Sequence, residues 1–271
     1  MNTKKPIDAQ ELRTIQLSIL KRFHNFCDEN NIKYFLSSGS LLGAVRHKGF
    51  IPWDDDIDVS LLRSEYNKLI KIYEKKPIKG LSLISEKNNE NSPFPLIKLS
   101  DDSTELYEHS YPYFKYGVYI DIFPIDPMPT GRLSKLKFKI LDLICKLGPW
   151  FMTAKEKKLK DYKQTKYMLW GTFFKYSLFF LKKNFFLRIY SKIADNMKQD
   201  TEFYSHTVCS VGYKKLPKSL FESQETVEFE GERYKTFYNY RKYLEIIYGD
   251  YMTPPPPEKR ISHHNFTAFR K

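Results

Sequence analysis

Cysteine is almost absent from this chain: Cys27, Cys145 and Cys209 are its three, an odd number without C-x-x-C spacing. A disulfide framework and a zinc knuckle are therefore unsupported, and a reducing compartment is the simplest setting. Also missing is any uninterrupted apolar run of 18 or more residues, so no spanning helix is expected. The first twelve residues carry Lys4, Lys5, Asp8 and Glu11 and no continuous apolar stretch, which argues against a cleaved secretory signal. No internal repeat is found, and no Ser-His-Asp or Cys-His arrangement stands out. The expected location is cytoplasmic, with room for peripheral contact at the inner face of the plasma membrane.

What is present points to a globular protein. Its 271 residues fit one large domain or two small ones and can bury a full core. Hydrophobic residues make up 41%, with Tyr 20 and Phe 21, which excludes a disordered chain. A formal charge of +13 raises the local concentration of anionic partners such as nucleotide phosphate, nucleic acid or an acidic membrane face.

Asp8 and Glu11 have capping-box spacing, and Leu12, Ile15, Ile19, Phe23 and Phe26 recur at helical intervals, which predicts a helix from Ala9 to Asp28. Ile32 to Leu36 reads as a strand that leads into Ser37-Ser38-Gly39-Ser40 and a second helix ended by Gly49. Asp56, Asp58 and Ser60 alternate with Ile57, Val59 and Leu61, as in a half-buried strand. After a helix near Ser64, strands are expected at Leu81–Ser85, Leu96–Leu99 and Val118–Phe123. From Arg132 to about Lys198 the pattern turns helical, with Leu133, Leu136, Ile140, Leu143 and Leu147 on one stripe. A hairpin at Val227–Phe237, a helix at Tyr240–Tyr248 and an extended Pro254–Pro257 close the chain. The fold class is thus α/β, a mixed sheet with helices plus a helical second half. The expected parts are a core (1–127), a helical region (128–225) and a closing hairpin, helix and proline-rich arm (226–271).

Asp54 to Asp58 hold four carboxylates in five residues. Such a cluster reads as a solvated turn or as a cation site. Two like charges, Asp56 and Asp58, on one strand face are costly unless a cation lies between them, and magnesium fits an all-oxygen donor set. Gly39-Ser40 opens a helix where backbone N–H groups can hold phosphate, or is simply a capped helix start.

The stretch Ser38-Gly-Ser-Leu-Leu-Gly-Ala-Val-Arg-His-Lys-Gly-Phe-Ile-Pro-Trp-Asp-Asp-Asp-Ile-Asp-Val59 resembles the signature of the LicD family, bacterial phosphocholine transferases related to fukutin-type enzymes. That resemblance implies a nucleotidyltransferase-like core in which Gly39 and Ser40 hold nucleotide phosphates and Asp56 and Asp58 hold one or two magnesium ions. Val118-Tyr-Ile-Asp-Ile-Phe-Pro-Ile-Asp126 resembles the second motif and makes Asp121 the third catalytic acid and metal ligand. Asp121 also lies between isoleucines in a strand, where a lone aspartate needs a partner. Asp126 before Pro127 reads as a turn residue. Arg46 and Lys48 could reach phosphate oxygens or could simply compensate a helix C-terminus. Tyr248-Gly-Asp-Tyr-Met-Thr-Pro-Pro-Pro-Pro-Glu-Lys-Arg-Ile-Ser-His-His264 resembles the closing motif, an arm that would bring Lys259, Arg260 and His263 to the nucleotide. A disordered tail is the alternative.

The activity so implied is magnesium-dependent transfer of phosphocholine from CDP-choline to a sugar hydroxyl of a teichoic acid, lipopolysaccharide or capsule precursor, releasing CMP. CDP-ribitol or CDP-glycerol as donor is the alternative, and a non-catalytic membrane- or nucleic-acid-binding module is another. The partners expected are a CDP-linked donor and a lipid-linked glycan acceptor, without nucleic acid; the oligomeric state is left open. Trp53, Tyr111, Tyr113 and Tyr119 are candidates to hold choline, because a quaternary ammonium favours aromatic faces. Tyr167–Tyr190 interleaves aromatics with Lys and Arg, which suits either a membrane interface or a packed helix pair.

Overall fold

The computed structural model describes residues 5–108, 114–128, 184–197, 201–208, 214–261 and 266–271, with Leu136, Ile140 and Leu143 besides. Helix α1 spans Ala9–Glu29, and Asp8 caps it by accepting the Glu11 N–H at 2.8 Å. Its buried stripe is the expected one, Leu12, Ile15, Ile19, Phe23 and Phe26. The helix packs on the central sheet against β4 (Ile97–Asp101) and β6 (Tyr119–Pro127). Asn31, at φ 51°, turns the chain out of the helix. The strand expected from Ile32 is shorter, and only Phe35–Leu36 form β1.

Helix α2 (Ser38–His47) follows directly, then β2 (Asp58–Leu62), α3 (Arg63–Lys75) and β3 (Leu81–Ile84). The sheet runs β1-β2-β6-β4-β3, and only β2 and β6 of these pairs run parallel. Strand β6 is its spine. Its nine residues pair with β2 on one side, and on the other with β4 and, further along, with β7 (Phe203–His206). Val59, Leu61, Ile120 and Ile122 are all fully buried, so the half-buried alternation expected around Asp58 is not what forms. Helices α2 and α3 pack against β2, and the polar Ser60 is satisfied in the interior by Ser37, hydroxyl to hydroxyl at 2.6 Å.

Asp126 is not a turn residue. Strand β6 runs on through Pro127, and the Asp126 carboxylate, completely buried, meets the Arg63 guanidinium at 2.6 and 2.8 Å. Tyr190 and Thr207 complete its shell. Burial alone would raise its pKa, yet the Arg63 charge and these donors hold it below the ordinary carboxylate range. An Asp-Pro pair reads as a turn only until a buried guanidinium supplies the charge partner.

The region expected to be helical contributes α4 (Phe185–Asp195) but also strands, since β7 and β8 (Leu216–Pro217) extend the central sheet. Of the Leu133–Leu147 stripe, Leu136, Ile140 and Leu143 are helical and exposed; the rest lies outside the described residues. Strands β9 (Gln224–Phe229) and β10 (Glu232–Phe237) form the expected hairpin. Its two turn residues, Glu230 and Gly231, have φ of 50° and 79°, as a hairpin turn matched to strand twist requires. Helix α5 (Tyr240–Tyr248) is capped by Asn239. The prolines do not stay extended throughout, because Pro257 opens a 3₁₀ turn, Pro257–Lys259. One unexpected element ends the chain: β11 (Phe266–Arg270) pairs with β5 (Thr104–Glu108), and Ala268 accepts the Ile7 N–H at 2.8 Å.

Candidate active site

The site grows from the pairing register of three strands. Asp58 on β2 stands opposite Asp121 on β6, and Asp121 stands opposite Lys98 on β4. Paired residues share a face, so the three side chains form one row across the sheet. Asp56, just before β2, joins them: one oxygen each from Asp56, Asp58 and Asp121 lies within 4.8 Å of the others. Burial, then the carboxylates of Asp56, Asp121 and Asp54, push the Asp58 carboxyl well above the ordinary range, with the Gly39 amide opposing. Two buried carboxylates and a half-buried third, one of them driven towards protonation and all offering only oxygen donors, fit a hard divalent cation such as magnesium.

Helix α2 shapes the other wall. Ser38 sits in the left-handed region at φ 48°, which turns the chain sharply from β1 into the helix. Its N–H reaches the Tyr243 hydroxyl at 3.3 Å, and the Gly39 amide meets the Asp58 carboxylate, so these two amides of the first turn already have partners. Ser40 is buried, and its hydroxyl accepts the Asp58 N–H at 2.8 Å, which ties helix to strand. Gly39 is demanded by space: a Cβ there would lie 2.7 Å from Asp54 Oδ2 and 3.8 Å from Asp58 Oδ2. The glycine lets two carboxylates approach the helix start.

Lys98 is the residue that the sequence reading missed. Its Nζ lies 2.8 and 3.2 Å from the two oxygens of Asp121 and 3.4 Å from the centre of the Tyr119 ring, with Phe94 at 4.6 Å and Tyr116 at 5.8 Å. The signal was available, because a lysine inside Leu96-Ile97-Lys98-Leu99 is as disfavoured in a buried strand as Asp121 is. Two residues of α1 were also missed. Arg13 donates to the carbonyls of Ile51, Pro52 and Asp54, and Gln16 to that of Asp55, which pins the acidic loop from the helix side.

The basic residues are placed unevenly. Arg46 donates to the Tyr251 carbonyl at 3.2 Å, and Arg260 is near enough to depress it: burial, opposed by Tyr248 and reinforced by the Arg260 charge, lowers the Arg46 pKa. Arg260 stacks over Trp53 at 5.4 Å, so the closing arm does come to the acidic loop. Lys48 and Lys259 are exposed, Lys48 as the left-handed cap of α2. His263 lies outside the described residues, as do Tyr111 and Tyr113. Tyr119, a choline candidate from its sequence position, has its ring face taken by Lys98 and is buried. Trp53 is half-buried beside a cavity.

Comparison with known proteins gives this geometry a context. Residues 31–133 match the profile of the LicD/FKTN/FKRP nucleotidyltransferase domain. Over 277 aligned residues the chain is 28% identical to the lipopolysaccharide cholinephosphotransferase LicD of Haemophilus influenzae, covering 98% of this chain and 99% of that protein. An uncharacterized protein of Rickettsia prowazekii is 49% identical over 47 residues, 17% of this chain and 18% of its own length.

Proposed function

We propose that this chain acts as a LicD-type transferase, moving phosphocholine from CDP-choline to a hydroxyl of a cell-surface glycan precursor and releasing CMP. The observation that carries this reading is the row Lys98–Asp121–Asp58 with Asp56 beside it, at the start of α2, in a chain alignable end to end with a cholinephosphotransferase. Asp56, Asp58 and Asp121 would hold magnesium. When bound, the ion supplies positive charge to the diphosphate and to the CMP that leaves.

The chain's own groups do the rest. The acceptor oxygen forms a bond to the choline-bearing phosphorus, the bond from that phosphorus to the CMP oxygen breaks, and the hydroxyl proton passes to a carboxylate. Asp121, held at both oxygens by Lys98, and the half-buried Asp54 and Asp56 at the rim are the carboxylates that line this place. Arg46 and Arg260, brought together by the arm, face the anionic donor, and the +13 charge favours its approach. The parts 1–127, 128–225 and 226–271 would then serve as catalytic core, acceptor-facing region and closing arm.

Incubation of the purified chain with CDP-choline, CDP-ribitol or CDP-glycerol, magnesium and a lipopolysaccharide or teichoic acid acceptor tests the reaction. CMP release with CDP-choline alone supports the reading; release only with an alditol donor overturns it. Among the described residues no helix is long and apolar enough to cross a membrane. Peripheral attachment through the basic, aromatic Tyr167–Tyr190 is part of the proposal, and salt-sensitive co-sedimentation with anionic vesicles would support it.

A further inference from the structure

The acidic loop is held along its backbone from two directions. Arg13 and Gln16 of α1 donate to the carbonyls of Ile51, Pro52, Asp54 and Asp55. The start of the loop is held from the β9–β10 hairpin, by a residue 180 positions further along the chain: the Glu230 carboxylate accepts the Phe50 N–H at 3.0 Å. The Glu230 N–H in turn donates to the Lys48 carbonyl at 2.8 Å, and the Phe50 and Phe229 rings meet at 5.1 Å. Residue 49 is a glycine that this approach requires, since a Cβ there would collide with Glu230 Oε1.

The turn that carries Glu230 is unfavourable for it. Phe229 and Glu232 pair directly across a two-residue turn with φ of 50° and 79°, whose first position favours Asn, Asp or Gly. A long side chain in this left-handed region is uncommon. Asn and Asp are one methylene shorter and glycine has no side chain, so the residues that suit the turn bring no acceptor to Phe50. Backbone strain retained where it gives a side chain its reach is a mark of function. The hairpin behind the tip is well seated: Thr236 donates to the Leu36 carbonyl at 2.8 Å, and the Phe237 ring stacks on Phe35 at 4.6 Å. A tip on so rigid a base fixes what it holds.

We propose that Glu230 is a positioning residue for the transfer reaction, clamping the entry of the acidic loop so that Asp56 stays within reach of Asp58 and Asp121. This rests on the reading of those three carboxylates as the magnesium site. Glu230 acts through the Phe50 amide and the loop backbone, without touching donor or ion. It is exposed, so its replacement opens no cavity.

Three substitutions separate reach from turn preference. Glu230→Gln keeps the length and an acceptor oxygen; Glu230→Asn and Glu230→Gly suit the turn and lose the reach. In EDTA, amide hydrogen exchange in the segment 49–56 should stay at the wild-type rate in Glu230→Gln and rise about tenfold in the other two. Their melting temperatures should fall by no more than about 2 °C, because the turn itself is relieved. Magnesium affinity and kcat for CMP release should each drop about tenfold in Glu230→Asn and Glu230→Gly and be restored in Glu230→Gln, with KM for CDP-choline changed less. Unchanged loop exchange in the two short variants, wild-type turnover in a variant whose loop exchanges faster, or a Glu230→Gln as impaired as Glu230→Asn would overturn the clamp. So would a loss of turnover matched by a collapse in melting temperature, which marks a residue that only stabilises the fold. CMP release by wild type with unchanged exchange in every variant overturns the clamp and spares the reaction. Faster loop exchange in the short variants of a protein that releases no CMP from CDP-choline overturns the reaction and spares the clamp.

Discussion

Lys98 and Asp121 face each other in register on β4 and β6, and their charged groups meet at 2.8 Å in the interior. Removing one partner of a buried ion pair strands the other charge. Lys98→Met should therefore cost about 3–5 kcal/mol of stability without metal, and Lys98→Met/Asp121→Leu considerably less. Urea unfolding of the two variants and wild type checks this. A single variant as stable as wild type would mean that water reaches Asp121.

Asp58 carries the opposite sign of effect. Its carboxyl is crowded by Asp56, Asp121 and Asp54 in a buried setting, so the site without metal is strained electrostatically. Asp58→Asn should raise the melting temperature in EDTA and abolish CMP release. In wild type, magnesium at about 100 times its dissociation constant should add ~2.7 kcal/mol, an increment that Asp58→Asn should largely lose. Calorimetry with and without magnesium separates the cases, and a wild-type melting temperature indifferent to the ion would remove magnesium from this site.

Gly39→Ala probes the contact between helix and acids. In a helix interior alanine is otherwise favoured over glycine by roughly 0.5–1 kcal/mol. Here the added Cβ would stand 2.7 Å from Asp54 Oδ2, so that carboxylate must move. The expected outcome is a near-wild-type melting temperature with turnover reduced at least tenfold, read from CMP release. Unchanged turnover would show that the position of Asp54 is immaterial.

Much of this was legible in the sequence because local pattern and chemistry coincided. Asp8 and the Leu12–Phe26 stripe specify α1 without reference to anything distant, and the signature from Ser38 to Val59 holds most of the site's first wall. What escaped depends on contacts between remote segments. Arg63 gives no local hint that it will neutralise Asp126, and Phe203–His206 acquires strand identity only by pairing with the end of β6. Phe266–Arg270 likewise follows the prolines in sequence and is fixed by β5. Lys98 lay between: its buried-strand context was visible, but only the register with Asp121 shows what it neutralises.

His206 reports on the same distant packing through pH. Its Nε2 lies 3.0 Å from the Tyr243 hydroxyl, which in turn accepts the Ser38 N–H behind the signature helix. Complete burial, only partly offset by Asp126, lowers its pKa to about 4. Between that value and the unfolded value of about 6.5 the unfolded chain binds a proton that the native chain refuses, so His206 makes stability rise with pH in this window. Its contribution is largest above pH ~6.5, falls by about 1.4 kcal/mol per unit as the solution is acidified, and is gone below pH ~4. Asp58, with its raised pKa, acts in the opposite direction, so the wild-type slope alone does not isolate the histidine. The difference between wild type and His206→Gln does. Unfolding free energies measured at pH 7, 6 and 5 should converge as pH falls, the variant losing less than wild type; parallel curves would mean that His206 takes up its proton without unfolding the chain.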